Sequence, residues 1–521
     1  MLLADIARKN KEFYANKTAI VSGSARYSFG EFDDRVNSLV NALSNLGVNK
    51  GDKVILMSES CHQCVEVAFA GLKGGVIVSP LNPNLPQRGL AYLINNAEAK
   101  AIIVAENYKS AIESIRAEIE GVKDLIVIGT PAGEMRSYED MISSYPPNEP
   151  KVELKEEDLL FLFCSGGTTG LPKHVMHTRR STLDTTLNFV LDYQLEHDDV
   201  YFTLGPPYWG WMLAAASCIP FYKGCTSIVS SDISPESILE IIDKEKVTKG
   251  LIPFFVLSSI LDYPDISKYD LSSMRCIILG GGAPGSEVLK RAKEVFGSAF
   301  GLAYGITEHT ALTWLSPEEI VAEGHTESLK RLSSCGRRGF NILTRIVDEY
   351  DNDVPAGDIG ELITSGTGVM EGYWKAPEAT NEALKAGYFY TGDLARVDQE
   401  GYVYLVGRKK DIIISDGKIV APAEIEDVLC WHVSIQEAAV IGVPDKELGE
   451  VVKAVVVLKG GQVITLEEII GLCQQNLPDY AVPKSVEFVD SLPRSTLGKV
   501  LKSVLRETYG GHLEGDVPGS A

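Results

Sequence analysis

The sequence lacks any long hydrophobic run. Its most apolar stretch, Met212–Tyr222, is eleven residues long, and a membrane-spanning helix needs about 20 apolar residues. The N-terminus carries an acid at Asp5 and has no apolar core, so we expect no secretory signal peptide. The sequence therefore predicts a protein without a transmembrane segment.

Cationic residues are also scarce. Lys and Arg total 49 against 71 Asp and Glu, which gives a net charge of −22. A strongly acidic surface disfavours non-specific binding to nucleic acid and to anionic membranes. We therefore expect no nucleic-acid partner, although a locally basic cleft could still hold an anionic ligand.

Cysteines are few and scattered, with nine in 521 residues. One close pair exists, Cys61 and Cys64, in a C-x-x-C spacing that is typical of redox motifs or of half a zinc site. No second pair of matching spacing follows, and both sulfurs fall within a helical apolar pattern. The favoured interpretation is ordinary helix packing in a protein of the reducing cytoplasm.

The length and the periodicity predict an α/β protein with more than one domain, since single cores stop growing near ~250–300 residues. Apolar β-rich runs alternate with amphipathic helical patterns, which is typical of parallel sheets covered by helices. The predicted helices include Phe32–Leu46 and Val65–Lys73. The predicted strands are Val54–Met57, Val76–Ser79, Ala101–Val104, Leu125–Ile128, Leu159–Phe163, Thr226–Val229 and Cys276–Leu279.

The pattern changes after Gly407. A more β-rich, glycine-punctuated segment, Ile342–Tyr404, precedes it, and a compact α+β pattern of short strands and two helices follows. We predict a large N-terminal domain over 1–408 with a β-rich subdomain, and a small C-terminal domain over 409–510. Residues 511–521, rich in Gly, Pro and acid, predict a disordered tail.

Cys164–Lys173 reads CSGGTTGLPK and directly follows an apolar predicted strand. Glycines let the backbone fold close around a ligand, and hydroxyls and a lysine supply donors for phosphate oxygens. The spacing differs from the P-loop because Leu171 and Pro172 separate the last glycine from the lysine, and no Ser or Thr follows it. A loop of this composition indicates polyphosphate binding, with a plain surface turn as the alternative.

Four further motifs follow this loop in order. They are Tyr304–Glu308 (YGITE), Tyr390–Asp393 (YTGD), Gly407–Asp411 (GRKKD) and Pro493–Lys499 (PRSTLGK). Together with the loop they resemble the AMP-forming acyl-CoA synthetases, a family within the adenylating enzymes that includes luciferases and the adenylation domains of peptide synthetases. The resemblance extends over nearly the whole chain.

The resemblance implies a two-step reaction that uses ATP, Mg²⁺ and coenzyme A. A carboxylate attacks the α-phosphate of ATP to give an acyl-adenylate and pyrophosphate, and the CoA thiol then displaces AMP. The first step brings together two anions, so it needs a metal ion and oriented donors. The alternative is a stand-alone enzyme that loads its acyl group onto the phosphopantetheine of a carrier protein. A non-catalytic nucleotide-binding module would not need all of these motifs.

The resemblance also implies roles for residues of the large domain. Thr307 and Glu308 would contact the α-phosphate and hold Mg²⁺, and Lys173 would be the charge of the phosphate loop. Tyr304 and Gly305 would lie against the nucleotide, with the adenine packed on the tyrosine ring. The remaining nucleotide-binding residues that it implies are Ser165, Gly166, Gly167, Thr168, Thr169, Gly170, Gly281, Gly282 and Ala283.

Near the end of the large domain, the resemblance implies that Asp393 accepts hydrogen bonds from the ribose hydroxyls and that Arg408 helps to hold the nucleotide from the domain junction. Lys499 would contact the reacting carboxylate during adenylation. The small domain would then rotate about a hinge at Lys410, withdrawing Lys499 and bringing in Gly417, which leaves room for the pantetheine arm.

An aromatic segment lies where relatives carry their acyl pocket. Its candidate pocket residues are Tyr208, Trp209, Gly210 and Trp211, and two tryptophans and a tyrosine favour a bounded apolar cavity for a small to medium-sized acid. The alternative is plain aromatic core. The chain departs from the family pattern at His174 and Arg179, where glycine and histidine are usual, and at Ile414 and Ile419, which are often polar. A homo-oligomer is compatible with the sequence.

Overall fold

The computed structural model describes residues 3–119, 121–165, 172–282, 286–297, 299–320, 331–415, 417–494 and 500–510. They group into two compact units. The first comprises Met1–Thr344 and Thr364–Phe389, and the second comprises Arg345–Ile363 and Tyr390–Ala521.

The described α-helices are α1 Asp5–Tyr14, α2 Phe29–Asn45, α3 His62–Gly74, α4 Gln87–Ala97, α5 Lys109–Ser114, α6 Tyr138–Ser143, α7 Arg179–Asp192, α8 Met212–Lys223, α9 Pro235–Glu245, α10 Val256–Leu261, α11 Ser286–Phe296, α12 Pro377–Ala383, α13 Pro422–Cys430, α14 Leu466–Asn476 and α15 Lys502–Tyr509. Short 3-10 helices lie at Glu106–Tyr108, Arg116–Glu118, Ile266–Lys268, Pro317–Glu319, Arg331–Ser333 and Asp479–Ala481.

The strands described before residue 343 are β1 Thr18–Ser22, β2 Ala25–Ser28, β3 Lys53–Met57, β4 Ile77–Pro80, β5 Ala99–Ala105, β6 Asp124–Ile128, β7 Arg136–Ser137, β8 Leu159–Cys164, β9 His174–Thr178, β10 Val200–Leu204, β11 Thr226–Ser230, β12 Lys249–Pro253, β13 Cys276–Gly280, β14 Phe300–Ile306, β15 His309–Leu315 and β16 Arg337–Arg338. The later strands are β17 Leu343–Val347, β18 Gly360–Ser365, β19 Gly372–Tyr373, β20 Leu384–Lys385, β21 Tyr388–Val397, β22 Val403–Arg408, β23 Ile413–Ser415, β24 Lys418–Val420, β25 Ile435–Asp445, β26 Gly449–Leu458 and β27 Ser485–Phe488.

Two large, mostly parallel sheets form the first unit. One has nine strands in the order β16-β15-β14-β13-β12-β10-β11-β1-β2, and the other has eight in the order β19-β9-β8-β4-β3-β5-β6-β7. The central strands β10 to β14 pair in parallel in the first sheet, as do β3 to β6 and β8 in the second. This arrangement confirms the predicted α/β class.

Helices α2, α3 and α8 share the largest core cluster with residues of both sheets. Their aromatic rings meet directly: the Phe32 centroid lies 5.1 Å from that of Phe69 and 4.8 Å from that of Phe221. All three rings are at most 1 % exposed. Burying rings of this size contributes about 1.5–3 kcal/mol each, so packing fixes these helices against one another.

The second unit contains a smaller, mixed sheet in the order β24-β23-β26-β25, with β27 pairing in parallel with β26. Helices α13 and α14 pack their buried faces, including Leu429 and Ile469, into the same core cluster as Val440 and Val456 of that sheet. The unit also holds most of β17, β18 and β21, which lie side by side, and β22, which pairs with β21. The predicted domain boundary at 408/409 separates the large domain from the small domain that is expected to rotate, and it stays a prediction.

Across the described residues no helix combines the length and the apolar character that a membrane span requires.

Candidate active site

The carboxyl ends of four adjacent parallel strands carry several of the residues predicted for the first unit. In sheet order, Thr307 and Glu308 follow β14, Gly281 and Gly282 follow β13, Phe254 and Phe255 follow β12, and Gly205–Trp211 follows β10. In α/β sheets ligands bind outside the carboxyl ends of the strands. The topology therefore brings segments far apart in the sequence to one edge.

The two glycines after β13 have different structural reasons. Gly281 has φ +86°, a left-handed backbone that favours glycine. At Gly282 an added Cβ would lie 2.5 Å from the ring of Phe254. The aromatic ring and the glycine backbone thus touch at the edge of the sheet. Ala283 lies outside the described residues.

Strands β14 and β15 form a hairpin with Thr307 and Glu308 at its tip, since Ile306 pairs with His309. The register shifts between Tyr304 and Ile306, so Gly305 occupies an irregularity in the strand. An added Cβ at Gly305 would lie 2.7 Å from the Ala311 nitrogen. Packing therefore requires glycine at this position of the YGITE motif.

The carbonyl oxygen of Thr307 is held by two buried side chains. The Trp211 indole N–H donates to it at 3.3 Å, and His177 Nε2 donates to it at 2.8 Å. The two rings pack edge to face, with centroids 4.8 Å apart. Burial lowers the pKa of His177 to about 4, and the bond to Thr307 opposes this only partly. A neutral His177 with its proton on Nε2 thus fixes the tip of the hairpin.

Glu308 is also held in place. The hydroxyl of Tyr373 donates to Glu308 Oε1 at 2.8 Å, and the Met370 backbone N–H donates to the Glu308 carbonyl at 2.8 Å. Tyr373 is on β19, which pairs with β9, where Val175 is its partner. The carboxylate is therefore tied to the strand that follows the phosphate loop.

The base of that loop is closed by Ser165 and Lys173. The Ser165 N–H donates to the Lys173 carbonyl at 2.9 Å, and the Lys173 N–H donates to Ser165 Oγ at 3.1 Å. The Lys173 ammonium lies 5.4 Å from the centroid of the Tyr373 ring, a cation–π distance. Tyr373 therefore links the predicted phosphate lysine to the predicted metal ligand. Gly166, Gly167, Thr168, Thr169 and Gly170 lie outside the described residues.

The two departures from the family pattern near the loop have structural reasons. His174 is fully buried, and its Nδ1 lies 3.1 Å from Asn96 Oδ1 on α4. The Arg179 guanidinium donates to the carbonyls of Leu72 at 2.8 Å and Gly71 at 2.6 Å, in the last turn of α3. A cation there adds hydrogen bonds to carbonyls of the last helical turn and complements the helix dipole.

The aromatic segment divides into two parts. Trp211 is only 7 % exposed and packs on Phe163, with centroids 5.4 Å apart, so it has the burial of a core residue. Tyr208 and Trp209 are half-buried, and the Trp209 ring meets Phe255 edge to face at 5.9 Å. Gly210 has φ +52°, and an added Cβ there would approach Thr307 Oγ1 at 3.9 Å. The contacts of this segment are therefore compatible with both interpretations, an acyl pocket and a plain aromatic core.

In the second unit, Asp393 and Arg408 lie opposite each other on the antiparallel pair β21 and β22. Arg408 Nε lies 2.7 Å from Asp393 Oδ1, and Arg408 Nη1 donates to the Thr391 carbonyl at 3.0 Å. Thr391 Oγ1 accepts from the Asp393 N–H at 3.0 Å. The structure thus joins two residues that the sequence assigned separately to nucleotide binding.

The predicted hinge and thioester-step residues also belong to the second unit. Burial lowers the pKa of Lys410, with neighbouring charges of both signs as smaller contributions. Gly417 has φ +69° in the turn between β23 and β24, which is itself a sufficient reason for glycine. The Ile414 side chain is 55 % exposed. Lys499 lies outside the described residues.

The residues present fit a magnesium ion held mainly by substrate phosphates. Mg²⁺ in nucleotide sites takes one or two carboxylates and keeps its other positions for phosphate and water, and Glu308 supplies one oriented carboxylate. Within the part of the chain that the structure describes, no group of three or more His, Cys, Asp or Glu side chains could form a complete metal cage.

Comparison with known proteins agrees with this geometry. The AMP-binding enzyme profile matches residues 7–374, and the profile of the AMP-binding enzyme C-terminal domain matches residues 424–499. The chain is 33 % identical to a feruloyl-CoA synthase of Amycolatopsis sp over 494 residues, covering 95 % of this chain and 96 % of the relative. It is 31 % identical to a long-chain-fatty-acid–CoA ligase of Escherichia coli O6:H1 over 546 residues, covering 98 % and 95 %.

The chain belongs to the AMP-binding enzyme family. Its fold matches the crystal structure of the anthranilate CoA ligase AuaEII in complex with anthranoyl-AMP, with a TM-score of 0.90 at 27 % identity, covering 98 % of this chain and 97 % of that one. These likenesses confirm the predicted AMP-forming acyl-CoA synthetase, an acid–thiol ligase that uses ATP, Mg²⁺ and CoA. The roles of individual residues stay predictions.

Two contributors to the site escaped the sequence analysis. Tyr373 touches Glu308 across 65 positions of the chain, and His177 touches Thr307 across 130. No local motif surrounds either residue. What connects both residues to the site is their place in the folded sheet, since both lie on strands beside the phosphate loop.

Replacing Tyr373 by phenylalanine is expected to weaken Mg²⁺ binding in the adenylation step. The change removes the hydroxyl that orients Glu308, and loss of such a supporting hydrogen bond typically costs about 10- to 100-fold in metal affinity. The Mg²⁺ dependence of carboxylate-dependent pyrophosphate release measures this. Tyr350→Phe, at an exposed position of the second unit, is the matched control. An unchanged Mg²⁺ midpoint in Tyr373→Phe would contradict the role.

Acid is expected to destabilise the fold below about pH 6.5. Burial lowers the pKa values of His174 and His177 to about 4 and that of His309 to about 3, from an ordinary 6.5. Between these values the unfolded chain binds more protons, so the stability present above pH 6.5 is lost as the pH falls. Each histidine contributes a slope of up to about 1.4 kcal/mol per pH unit.

His309→Asn tests this expectation, since its amide can replace the Nδ1–H that donates to Thr364 Oγ1. The melting temperature measured from pH 7 to pH 4 should fall less steeply in this variant than in the wild type. His197→Gln, at an exposed position, should keep the wild-type slope. Equal slopes for wild type and His309→Asn would contradict the prediction.

Proposed function

We propose that this acyl-CoA synthetase acts on a small to medium-sized apolar carboxylic acid, which can be aliphatic, alicyclic or aromatic. The observation that carries the proposal is the row of aromatic side chains at the strand ends beside Thr307 and Glu308. Trp209 and Phe255 meet edge to face, and Phe254 packs on Gly282 in the same row. Such side chains suit an apolar body, while the carboxylate would face the hairpin tip.

The relatives support this range of acids without narrowing it. A feruloyl-CoA synthase and an anthranilate CoA ligase act, by their names, on aromatic acids, and a third relative is named for long-chain fatty acids. The aromatic row of this chain favours the shorter and cyclic acids. A cytoplasmic location also belongs to the proposal, supported by nine cysteines that are all free thiols.

In the adenylation step, a carboxylate oxygen of the acid forms a bond to the α-phosphorus of ATP. The bond from that phosphorus to the bridging oxygen breaks, and pyrophosphate leaves with the electron pair. We assign Lys173 and the phosphate loop to the β- and γ-phosphates, Thr307 to the α-phosphate and Glu308 to Mg²⁺. The support is that Tyr373 contacts both Lys173 and Glu308, so these charges keep a fixed separation.

In the thioester step the CoA sulfur attacks the acyl carbon, and AMP leaves with the acyl–oxygen electron pair. Asp393 and Arg408 would hold the ribose and phosphate of the nucleotide throughout. Their mutual ion pair keeps the Asp393 carboxylate, which is 7 % exposed, oriented for two hydroxyl donors. Gly417 would leave space for the pantetheine arm.

A panel of carboxylic acids tests the proposal. AMP and pyrophosphate release should be measured for aromatic, alicyclic, short and long aliphatic acids, each with and without CoA. We expect CoA-dependent AMP release with small to medium apolar acids. Turnover only with long-chain acids would contradict the proposed acid class. Pyrophosphate exchange without free-CoA turnover, together with acylation of a phosphopantetheine carrier protein, would favour the carrier-loading alternative.

Trp211 has two proposed roles that two substitutions can separate. Trp211→Ala removes an indole that buries roughly 150–250 Å², so we expect broader tolerance of chain length and ring size and weaker apparent affinity for the native acid. Trp211→Phe keeps an aromatic ring but loses the bond to the Thr307 carbonyl. A neutral hydrogen bond contributes about 0.5–1.5 kcal/mol, so its turnover should fall about 2- to 10-fold for every acid.

The measurement is kcat/KM across the same panel for both variants. If Trp211→Ala keeps the parent's ranking of acids, Trp211 does not define the acyl pocket. If Trp211→Phe keeps the parent's turnover, the indole hydrogen bond does not support the hairpin tip.

A further inference from the structure

Cys61 and Cys64 lie at the start of α3, where their sulfur atoms are 3.4 Å apart. Cys61 is the N-cap residue and partly exposed, whereas Cys64 is buried in the first turn. The sequence pattern favoured ordinary helix packing for both. Both side chains pack against the core, but Cys61 precedes the helix and is only partly buried, so the two thiols differ in exposure.

The surroundings make the two thiols chemically unequal. Interaction with the Cys64 side chain lowers the pKa of Cys61, while burial raises the pKa of Cys64. A helix N-terminus stabilises a thiolate further. Cys61 is therefore suited to attack an external sulfur, and Cys64 is suited to follow it.

A zinc site does not account for the pair. Among the described residues no other His, Cys, Asp or Glu side chains complete a metal-binding group with these two cysteines. The nearest polar partners are Ser58, whose Oγ lies 3.7 Å from Cys61 Sγ, and the Glu59 carbonyl, which accepts from the Cys64 thiol at 3.2 Å.

We propose that Cys61 and Cys64 are a reversible dithiol–disulfide pair that exchanges with low-molecular-weight disulfides. The geometry supports the proposal: the sulfurs are in contact, Cys61 is partly exposed, and a C-x-x-C at a helix start brings both Cβ atoms to one side of the first turn. Closure needs only a small approach of atoms that already touch.

The exchange takes place in two steps. The Cys61 thiolate attacks one sulfur of the external disulfide, forming a mixed disulfide and releasing one small thiolate. Cys64 then loses its proton and attacks the Cys61 sulfur, forming the intramolecular bond and expelling the second small thiolate. Two electrons pass from the protein to the external disulfide, and two small thiols result.

The pair is joined to the edge that carries the aromatic segment. Ser60 Oγ donates to the Gly205 carbonyl at 2.6 Å, and the Ser60 N–H donates to Ser231 Oγ at 2.7 Å. Disulfide formation removes the thiol hydrogen that Cys64 donates to the Glu59 carbonyl, next to Ser60. The redox state of the pair therefore changes the hydrogen bonding of the loop that contacts Gly205.

The test is oxidation of the reduced full chain with oxidised glutathione, followed by alkylation of the remaining thiols and peptide mass mapping. We expect the Cys61–Cys64 peptide to lose two hydrogen atoms and to escape alkylation, and dithiothreitol to restore it. The other seven of the nine cysteines should still be alkylated after unfolding. Alkylation of both Cys61 and Cys64 after excess oxidised glutathione would overturn the proposal.

Variants establish the order of attack. Cys64→Ser should accumulate a stable glutathione adduct on Cys61, because no second thiol can expel it. Cys61→Ser should gather no adduct on Cys64, and Cys430→Ser, which removes an exposed cysteine, should form the disulfide as the wild type does. Failure of Cys64→Ser to collect the adduct would exclude Cys61 as the attacking thiol. The wild-type peptide map decides the proposal if a variant does not fold.

Discussion

Lys499→Ala is expected to abolish most of the adenylation activity while largely sparing thioester formation from supplied acyl-adenylate. The resemblance assigns Lys499 to the reacting carboxylate in the first step only. Removing a group that stabilises charge in a transition state costs about 2.7–4 kcal/mol, a factor of ~10²–10³ in rate. The second step starts from an adenylate that is already activated, so it does not need this cation.

Both half-reactions should be measured on one preparation, as carboxylate-dependent pyrophosphate release and as conversion of synthetic acyl-adenylate to acyl-CoA. Lys484→Ala, at an exposed position of the second unit, controls for loss of a lysine as such. Equal damage to both half-reactions would argue against the alternation of two domain arrangements.

Lys410→Pro is expected to separate the half-reactions in the opposite sense. A hinge must change its backbone dihedrals, and proline fixes φ near −65° and restricts the preceding residue as well. The flanking backbone is already tied, since the Lys409 N–H donates to the Gly392 carbonyl at 2.9 Å and the Asp411 N–H donates to the Arg408 carbonyl at 2.8 Å. If the chain is held in the adenylating arrangement, acyl-AMP still forms but CoA turnover falls.

Lys410→Ala is the matched control, because it removes the charge without restricting φ. It should retain both half-reactions. Near-wild-type rates for both steps in Lys410→Pro would remove Lys410 as the hinge. A loss confined to CoA transfer would support it.

Much of the fold could be predicted from the sequence because its strands are continuous apolar runs. The predicted strand Cys276–Leu279 is observed as Cys276–Gly280, and the glycines after it mark the strand end. Helix starts were predicted less well. The helix predicted from Phe32 begins at Phe29, because the Ser28–Glu31 capping box satisfies its first amides three residues earlier.

The same limitation affected Cys61. Apolar periodicity placed the cysteine pair inside a helix, whereas the helix begins at His62, and a cap position changes both the exposure and the acidity of a thiol. Within the site, motifs marked Thr307 and Glu308 but not the side chains that hold them. Those contacts join residues that share no local pattern, and only the sheet order brings them together.

The Thr307 carbonyl accepts two hydrogen bonds, and this limits how mutations can change the substrate specificity of this enzyme. A carbonyl oxygen has two lone pairs, and Trp211 and His177 take both. On the proposed assignment of Trp211 to the acyl pocket, a mutation that enlarges the pocket there also removes a hydrogen bond from the Thr307–Glu308 hairpin, so we expect new selectivity gained at Trp211 to carry a loss of turnover. Divergence toward other acids should be less costly at the half-buried Tyr208 or Trp209, the latter meeting Phe255 edge to face, and directed evolution of specificity should begin at those two positions.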